Sequence, residues 1–544
     1  MRLVSVEQMK AIEKEADAAG LTYAQMMQNA GQGLAEVVQD LPIEDSEQEA
    51  FGLVGAGNNG GDTLVALAHL AADGWRARAY LINRKRDSLV ERLEKAGGEV
   101  IEAGEDEEYA SLSAFVQTAT VLLDGVLGTG ARLPLKDEVA EVLAEVKAIL
   151  ESVEDGPLMI AVDCPSGMDC DTGETAPECI AADLTVTMAA VKHGMLKMPA
   201  YEFVGSLEVV DIGLPDDLHS MQKGSVEVAE EEMVAALLPK RPIDAHKGTF
   251  GTALIAAGSV NYTGAALLAG KAAYRVGTGL VTLAVPGLLH AVLAGQFPEA
   301  TWVVLPHELG VISRDAAEVL MKNWERATAL LIGPGFGTED TTREFVSNLL
   351  SKRSVKKKAS GRIGFIPSET EKAQEQSGKW PGLVFDADGL RLLAKIDNWS
   401  QLLPGPAILT PHPGEMSALT GLSVEEIQKD REGIARRFAK EWGHVVVLKG
   451  AFTVVASPDG RTVIIPVASS ALARAGTGDV LAGTIVGLRA QGVLPFEAAV
   501  AGAWIHAQAG LYAADDLGTA ASVLAGDVLD SISDVMSDLG YTNS

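Results

Sequence analysis

Short apolar runs alternate with amphipathic stretches along most of the chain. The run Ala50-Phe51-Gly52-Leu53-Val54 predicts a buried strand, and the apolar spacing after the following glycine loop predicts a helix over 63–73. The alternation continues with a strand over 76–82, a helix over 88–96 and a short strand near 99–102. A strand over 121–123 then ends at Asp124, a helix covers 138–150, and a strand over 158–162 ends at Asp163. Such alternation predicts a parallel sheet covered on both faces, with polar residues at strand C-termini gathered along one edge. Two hairpin-like strands, over 183–189 and 207–211, are expected to close this half. An acidic stretch over 226–232 leads to Leu237-Leu238-Pro239-Lys240-Arg241-Pro242, where the chain is expected to cross between domains. A second alternation opens with a strand over 251–257, a helix over 264–276 and a strand over 280–285. The pattern therefore predicts an α/β protein of two domains, 1–225 and 226–544. Residues 351–379, rich in lysine, serine and glutamine, read as a surface insertion, partly disordered, and Lys356-Lys357-Lys358 as a solvated run.

Composition narrows the class. The chain has 544 residues, too many for one core, and its 47% hydrophobic and 5% aromatic content suits an α/β enzyme. A formal charge of −30 argues against nucleic acid or an anionic membrane surface as partner, without excluding a nucleotide held by backbone amides. Cys164, Cys170 and Cys179 match no zinc spacing, and a disulfide framework is implausible at this length. Residues 1–20 read as a charged amphipathic helix, not a signal peptide, and no apolar run is long enough to span a bilayer. A cytoplasmic protein is expected, working as a homo-oligomer.

Two glycine-rich stretches carry the candidate chemistry: Gly55-Ala56-Gly57-Asn58-Asn59-Gly60-Gly61-Asp62 and Ala475-Gly476-Thr477-Gly478-Asp479. Each sets glycines and an acid at a junction into a helix, where amides and the helix dipole can hold an anion. The first satisfies the dinucleotide pattern G-x-G-x-x-G, but Asn83-Arg84 stands where a ribose-binding acid belongs, so a plain dehydrogenase is disfavoured. Asn58 and Asn59 could reach a ligand or cap the next helix. Asp163 could serve as an acid/base or cap a turn before Pro165.

Asn58-Asn59-Gly60-Gly61-Asp62, Asp124-Gly125-Val126-Leu127-Gly128-Thr129-Gly130 and Val162-Asp163-Cys164-Pro165-Ser166-Gly167 resemble, in order, the motifs of the YjeF N-terminal family of NAD(P)HX epimerases. Met26-Met27-Gln28-Asn29-Ala30-Gly31 and Gly205 through Asp211-Ile212-Gly213 extend the match over about residues 1–220. The resemblance implies a Rossmann-like three-layer domain. It implies that Asn58, Asn59, Gly60, Gly61 and Asp62, with Gly128, Thr129, Gly130, Ala131, Arg132, Leu133 and Pro134, surround the hydrated nicotinamide nucleotide. It also implies that Asp163 contacts the substrate and that Asn59, Asp124 and Ser166 bind potassium, an oxygen set that suits a hard cation. Asp163 is the candidate acid/base for inverting carbon 6 of the ring. Thr63 replaces a usual glycine and Gln28 a usual glutamate, so some tightening near the ligand is expected.

Residues 240–544 resemble the ribokinase-like NAD(P)HX dehydratase domain through His246-Lys247-Gly248, Ala257-Gly258-Ser259 with Tyr262-Thr263-Gly264-Ala265-Ala266, and Gly333-Pro334-Gly335-Phe336-Gly337. Asp386-Ala387-Asp388-Gly389-Leu390, Thr410-Pro411-His412-Pro413-Gly414-Glu415, Lys449-Gly450 and Gly476-Thr477-Gly478-Asp479 complete it. The resemblance implies an α/β/α layered domain in which Ala265, Gly335, His412 and Asp479 meet NAD(P)HX. Lys449, Gly450, Ala451, Phe452, Thr453 and Gly478 would meet the adenosine phosphate, with Asp479 as catalytic base. Magnesium is expected with the donor phosphates, and ADP as donor in preference to ATP. His506 reads as packing or surface. The alternative is a kinase for a vitamin-precursor alcohol, fused to a catalytically silent binding domain.

Overall fold

Along the strand Glu49–Val54 (β1), Ala50 and Val54 join one apolar cluster while Phe51 and Leu53 join another, so the strand is buried from both sides. The computed structural model in which this is seen describes residues 1–44, 48–215, 217–222, 226–351 and 380–540; the expected insertion therefore lies, apart from Ser351 at a helix end, outside the described residues. The chain divides into two compact units, Met1–Val228 and Ala229–Ser544.

In the first unit, β1 is joined by Arg76–Leu81 (β2), Glu99–Glu102 (β3), Val121–Gly125 (β4), Leu158–Val162 (β5), Leu184–Met188 (β6) and Ser206–Val210 (β7). Their order is β3-β2-β1-β4-β5-β6-β7, and every neighbouring pair is parallel. The order reverses direction beside β1, which makes the C-terminal ends of β1 and β4 the switch point where ligands bind in open α/β sheets. Helices Val6–Ala18, Tyr23–Gln39 and Asn58–Ala72 cover one face; Ala110–Thr118 and Asp137–Ser152 cover the other.

The expected hairpin is not there: β6 and β7 run parallel, with Leu184 opposite Ser206. The link between them carries a 3-10 turn (His193–Leu196) and the short helix Tyr201–Val204, long enough for a crossover rather than a tight reversal. Residues 1–20 also differ from a single helix. Arg2–Val4 is a strand, parallel to Val191–Lys192 and antiparallel to Val226–Val228, and Ser5 then caps the helix Val6–Ala18 with a reciprocal Ser5–Gln8 box.

The second unit contains Thr252–Ala256 (β8), Leu280–Pro286 (β9), Thr301–Leu305 (β10), Ala329–Ile332 (β11), Gly382–Phe385 (β12), Ile408–Leu409 (β13), Val445–Leu448 (β14), Val454–Ala456 (β15) and Thr462–Ile464 (β16). The order is β10-β9-β8-β11-β12-β13-β14-β15-β16, parallel as far as β14 and antiparallel beyond it. Ala253 and Ile255 pack towards Ala265–Arg275, Thr477–Ala490 and Pro495–Asp516, while Leu254 and Ala256 face the cluster containing Ala316–Asn323 and Asp340–Ser351. Both units are thus layered α/β folds. The stretch 237–242, expected as the crossing, lies within the second unit, where Leu237 and Leu238 pack on its core.

Candidate active sites

The first site begins with a close approach of backbones. A Cβ on Gly55 would meet the Val126 carbonyl oxygen at 1.9 Å, and one on Gly60 would meet the Gly55 carbonyl oxygen at 2.0 Å. Only glycine lets the loop after β1, the loop after β4 and the helix Asn58–Ala72 meet there. That helix starts five residues earlier than the pattern suggests, with Gly57 at its N-cap and no side-chain cap. Asn58 and Asn59 are therefore its first residues rather than its caps, and the first-turn amides face a cavity of about 440 Å³.

The cavity is lined by Gly55–Asn59, Asp62, Val126, Gly128–Ala131, Asp163 and Lys192, with Met9, Lys10 and Glu13 from the first helix. Gly60, Gly61, Arg132, Leu133 and Pro134, expected around the ligand, are not part of its wall. Gly60 is spent on the contact with Gly55, and Gly61 packs on the Met27 side chain. Thr63 also lies elsewhere: it is fully buried, donates to the Asn59 carbonyl at 2.8 Å, and fills the space before Gly52 and Gly125. Its extra bulk tightens helix-to-sheet packing instead of the ligand cavity. Gln28 accepts a hydrogen bond from Arg92 and is likewise absent from the cavity wall.

Asp163 takes a left-handed backbone conformation, φ 64°, which is costly for a residue with a side chain. It aims one carboxylate oxygen inward: Oδ1 accepts from the Met188 amide at 3.1 Å, from Thr187 Oγ1 at 3.3 Å, and from the ammonium of Lys192. Oδ2 faces Gly128 across the cavity, 3.6 Å from where a Cβ there would stand. Burial, then the Asp163 and Glu13 carboxylates, push Asp62 well above the usual carboxylate range; burial and Asp163 also raise Glu13. The cavity therefore offers one carboxylate paired with a buried cation and a second carboxyl that favours its neutral form.

Beside it, Ser166 Oγ donates to Asp124 Oδ1 at 2.5 Å and the Ser166 amide to Oδ2 at 2.7 Å; Asn59 Nδ2 donates to the Leu127 carbonyl at 2.9 Å. Asp124 is buried, and that burial raises its pKa although the Ser166 contacts oppose the shift. Asn59 Oδ1 is buried with no hydrogen-bond partner among the described residues. An orphaned amide oxygen, a carboxylate without a cationic neighbour among its hydrogen-bond partners, a hydroxyl and a carbonyl form an oxygen set that suits a monovalent cation.

The second site lies at the C-terminal ends of β11 to β14. Asp386 follows β12 and is 1% exposed; its Oδ1 accepts from Lys449 Nζ and Thr410 Oγ1, each at 2.6 Å. Burial alone would lower Lys449, but Asp386 and Glu415 outweigh it and hold the ammonium charged. Lys449 Nζ is 3.6 Å from where a Cβ on Gly478 would stand. Gly476, with φ 94°, is the N-cap of the helix Thr477–Ala490 and has no side chain with which to cap it, while the Thr477 hydroxyl donates to the Leu472 and Arg474 carbonyls. First-turn amides, helix dipole and Lys449 thus converge on one spot suited to a phosphate.

Asp479 stands in that first turn. Burial and then the Asp386 carboxylate push its pKa up to about 7, and burial raises Asp388 as well. Gly335 packs against Tyr262 and Ala265, bringing two expected ligand contacts together. His412 is itself the cap of Pro413–Thr420: Nδ1 accepts from the Gly414 and Glu415 amides, and Nε2 lies 3.2 Å from Glu415 Oε1. His506 is buried next to the Thr477 backbone, where burial pushes its pKa down to about 4. Glu415 and Asp386 went unassigned in sequence because their partner Lys449 is distant along the chain. Lys192 and Glu13 fell outside every glycine motif.

Two family models match: YjeF-related protein N-terminus over residues 23–194, and NAD(P)H-hydrate dehydratase over residues 253–355 and 368–534. The bifunctional NAD(P)H-hydrate repair enzyme Nnr of Moorella thermoacetica is 35% identical over 523 residues, covering 94% of this chain and 92% of that protein. The protein of the same name from Salinibacter ruber is 36% identical over 503 residues, covering 89% and 86%. Among solved structures, the ADP/ATP-dependent NAD(P)H-hydrate dehydratase from Bacillus subtilis, co-crystallized with ATP/Mg2+, is 32% identical. It covers 58% of this chain and 99% of that one, with a TM-score of 0.47. The chain belongs to the family of bifunctional NAD(P)H-hydrate repair enzymes.

Proposed function

We propose that this chain repairs hydrated NADH and NADPH, the first unit interconverting the R and S epimers and the second dehydrating the S form at the expense of ADP. The observation that carries the reading is Asp479, raised to about 7 and set beside Lys449 at an uncapped helix N-terminus. Carbon 6 of the hydrated ring bears a hydroxyl next to the ring nitrogen, and hydroxide is a poor leaving group. Asp479 takes the hydroxyl proton as that oxygen attacks the terminal phosphoryl group, whose bond to the donor breaks and leaves AMP. Lys449 and the amides of Gly478 and Asp479 stabilise the charge on the transferring group. The nitrogen lone pair then expels phosphate with the carbon–oxygen pair, and loss of a proton from carbon 5 restores the dihydronicotinamide. Gly450, Ala451, Phe452 and Thr453 hold the nucleotide; Ala265, Gly335 and His412 border the ring side. Magnesium accompanies the donor phosphates, and ATP is the other candidate donor.

In the first unit, a neutral carboxyl protonates the carbon 6 hydroxyl, which departs as water with its bonding pair while the nitrogen lone pair forms an iminium bond. Water adds to the opposite face and gives its proton to a carboxylate. Asp62 and Asp163 supply the two states in one cavity. Asn59, Asp124 and Ser166 would hold potassium, whose charge would offset that of the buried Asp124. The compartment is the cytoplasm, and the working form a homo-oligomer. Among the described residues no helix is long and apolar enough to cross a membrane.

Incubation with S-NADHX, magnesium and ADP tests the second half: inorganic phosphate, AMP and NADH are expected in equal amounts. A stable phosphate ester of a vitamin-precursor alcohol, with NADHX untouched, would overturn the assignment.

A further inference from the structure

We propose that Lys192 is a positioning residue for epimerisation, locking one oxygen of Asp163 so that proton transfer runs through the other. This rests on the reading of the first unit as an epimerase. Lys192 is 1% exposed, and its ammonium is spent entirely on one corner of the cavity: it donates to Asp163 Oδ1, to Thr187 Oγ1 at 2.7 Å and to the Met188 carbonyl at 3.2 Å. An ammonium has three donors, and all three are used. The Met188 amide and Thr187 hydroxyl add to Oδ1, whereas Oδ2 accepts no hydrogen bond among the described residues and lies 3.6 Å from where a Cβ on Gly128 would stand. The carboxylate is thus asymmetric, with a saturated anchor oxygen and a working oxygen turned towards the substrate space.

The backbone supports the same assignment. Val191–Lys192 pairs in parallel with Leu3 and Val4, and the chain passes directly from that strand into the helix bearing Lys10 and Glu13. One short strand therefore fixes both the buried cation and the helix that closes the cavity. A buried ion pair is a poor source of net stability, because desolvation offsets most of the attraction. Burying a lysine here is better explained by control of Asp163. The groups that face this carboxylate are Lys192, Asp62 from the helix Asn58–Ala72, Glu13 and Lys10 from the first helix, and Cys164 on its own strand end. Lys192 is the cation among them that bonds Asp163 directly.

The test uses the full chain with Lys192→Gln, which can still donate a hydrogen bond to Oδ1 but carries no charge, and Lys192→Ala assayed with added ethylamine. Epimer exchange in R-NADHX, followed by chiral separation, is expected to fall in Lys192→Gln by about 100-fold in kcat with KM within about 3-fold. Ethylamine is expected to restore part of the exchange in Lys192→Ala. Wild-type kcat in Lys192→Gln, or a loss that falls on KM with no amine rescue in Lys192→Ala, would reduce Lys192 to a structural pair and overturn the proposal. A wild-type chain that fails to exchange epimers would instead overturn the epimerase reading beneath it.

Discussion

Asp479 shows how much of the second site's chemistry is set by one residue's surroundings. Burial and Asp386 disfavour its charge, so the base form accumulates only as pH rises through about 7. The dehydration rate is therefore expected to climb through about pH 7, measured as NADH recovery from S-NADHX at saturating ADP. The same shift acts on stability with a fixed sign. A carboxyl whose folded value is raised contributes stability below its unfolded value near 3.8, and loses it as pH rises through about 7. Asp479→Asn is thus expected to abolish dehydration yet raise unfolding free energy at about pH 8 by about 2 kcal/mol, read from denaturant melts. Asp163, Lys449 and Asp479 were singled out from sequence by the glycine motifs around them, whereas Asp386 and Glu415, inside such motifs too, were given no role. Lys192 and Glu13 were not singled out, because they reach the cavity from a short edge strand and the first helix, with no local pattern marking either.

At the scale of elements, the sequence was most readable where a strand ran straight into a glycine loop. β1, β4 and β5 were expected within a few residues of their observed bounds, because apolar runs buried from both faces leave little ambiguity. The helix Asn58–Ala72 was expected to start late, since glycines and asparagines are poor helix formers, yet Gly60 sits in its first turn packed closely on Gly55. The pair β6 and β7 was misread because crossover and hairpin share the same apolar strands and differ only in what the link folds into. The glycine contact gives a sharp prediction. Gly60→Ala would drive a methyl into the Gly55 carbonyl at 2.0 Å, so epimer exchange should be lost and thermal unfolding of the first unit lowered by about 2–3 kcal/mol. Gly57→Ala has nothing within 4 Å of the added Cβ and should leave stability nearly unchanged, as calorimetry would show.

For the whole molecule, the two units each carry a complete acidic centre, Asp163 in Met1–Val228 and Asp479 in Ala229–Ser544. The two-domain α/β architecture was legible because the strand–helix alternation breaks off and restarts. The stretch 237–242 was read as the crossing because its prolines and charges resemble a linker, but its Leu237 and Leu238 pack on the second core. Separate centres make the activities separable. Asp163→Asn should abolish epimer exchange and leave dehydration of purified S-NADHX within about 2-fold of wild type, by initial-rate assay.

The most direct measurement supplies an equal mixture of R- and S-NADHX with magnesium and ADP, under conditions where spontaneous epimer exchange is slow, and follows recovery of reduced-nicotinamide absorbance to its plateau. The account predicts complete recovery with the wild-type chain, half recovery with Asp163→Asn, and none with Asp479→Asn. Complete recovery by Asp163→Asn at the wild-type rate, or none by the wild-type chain, would contradict it.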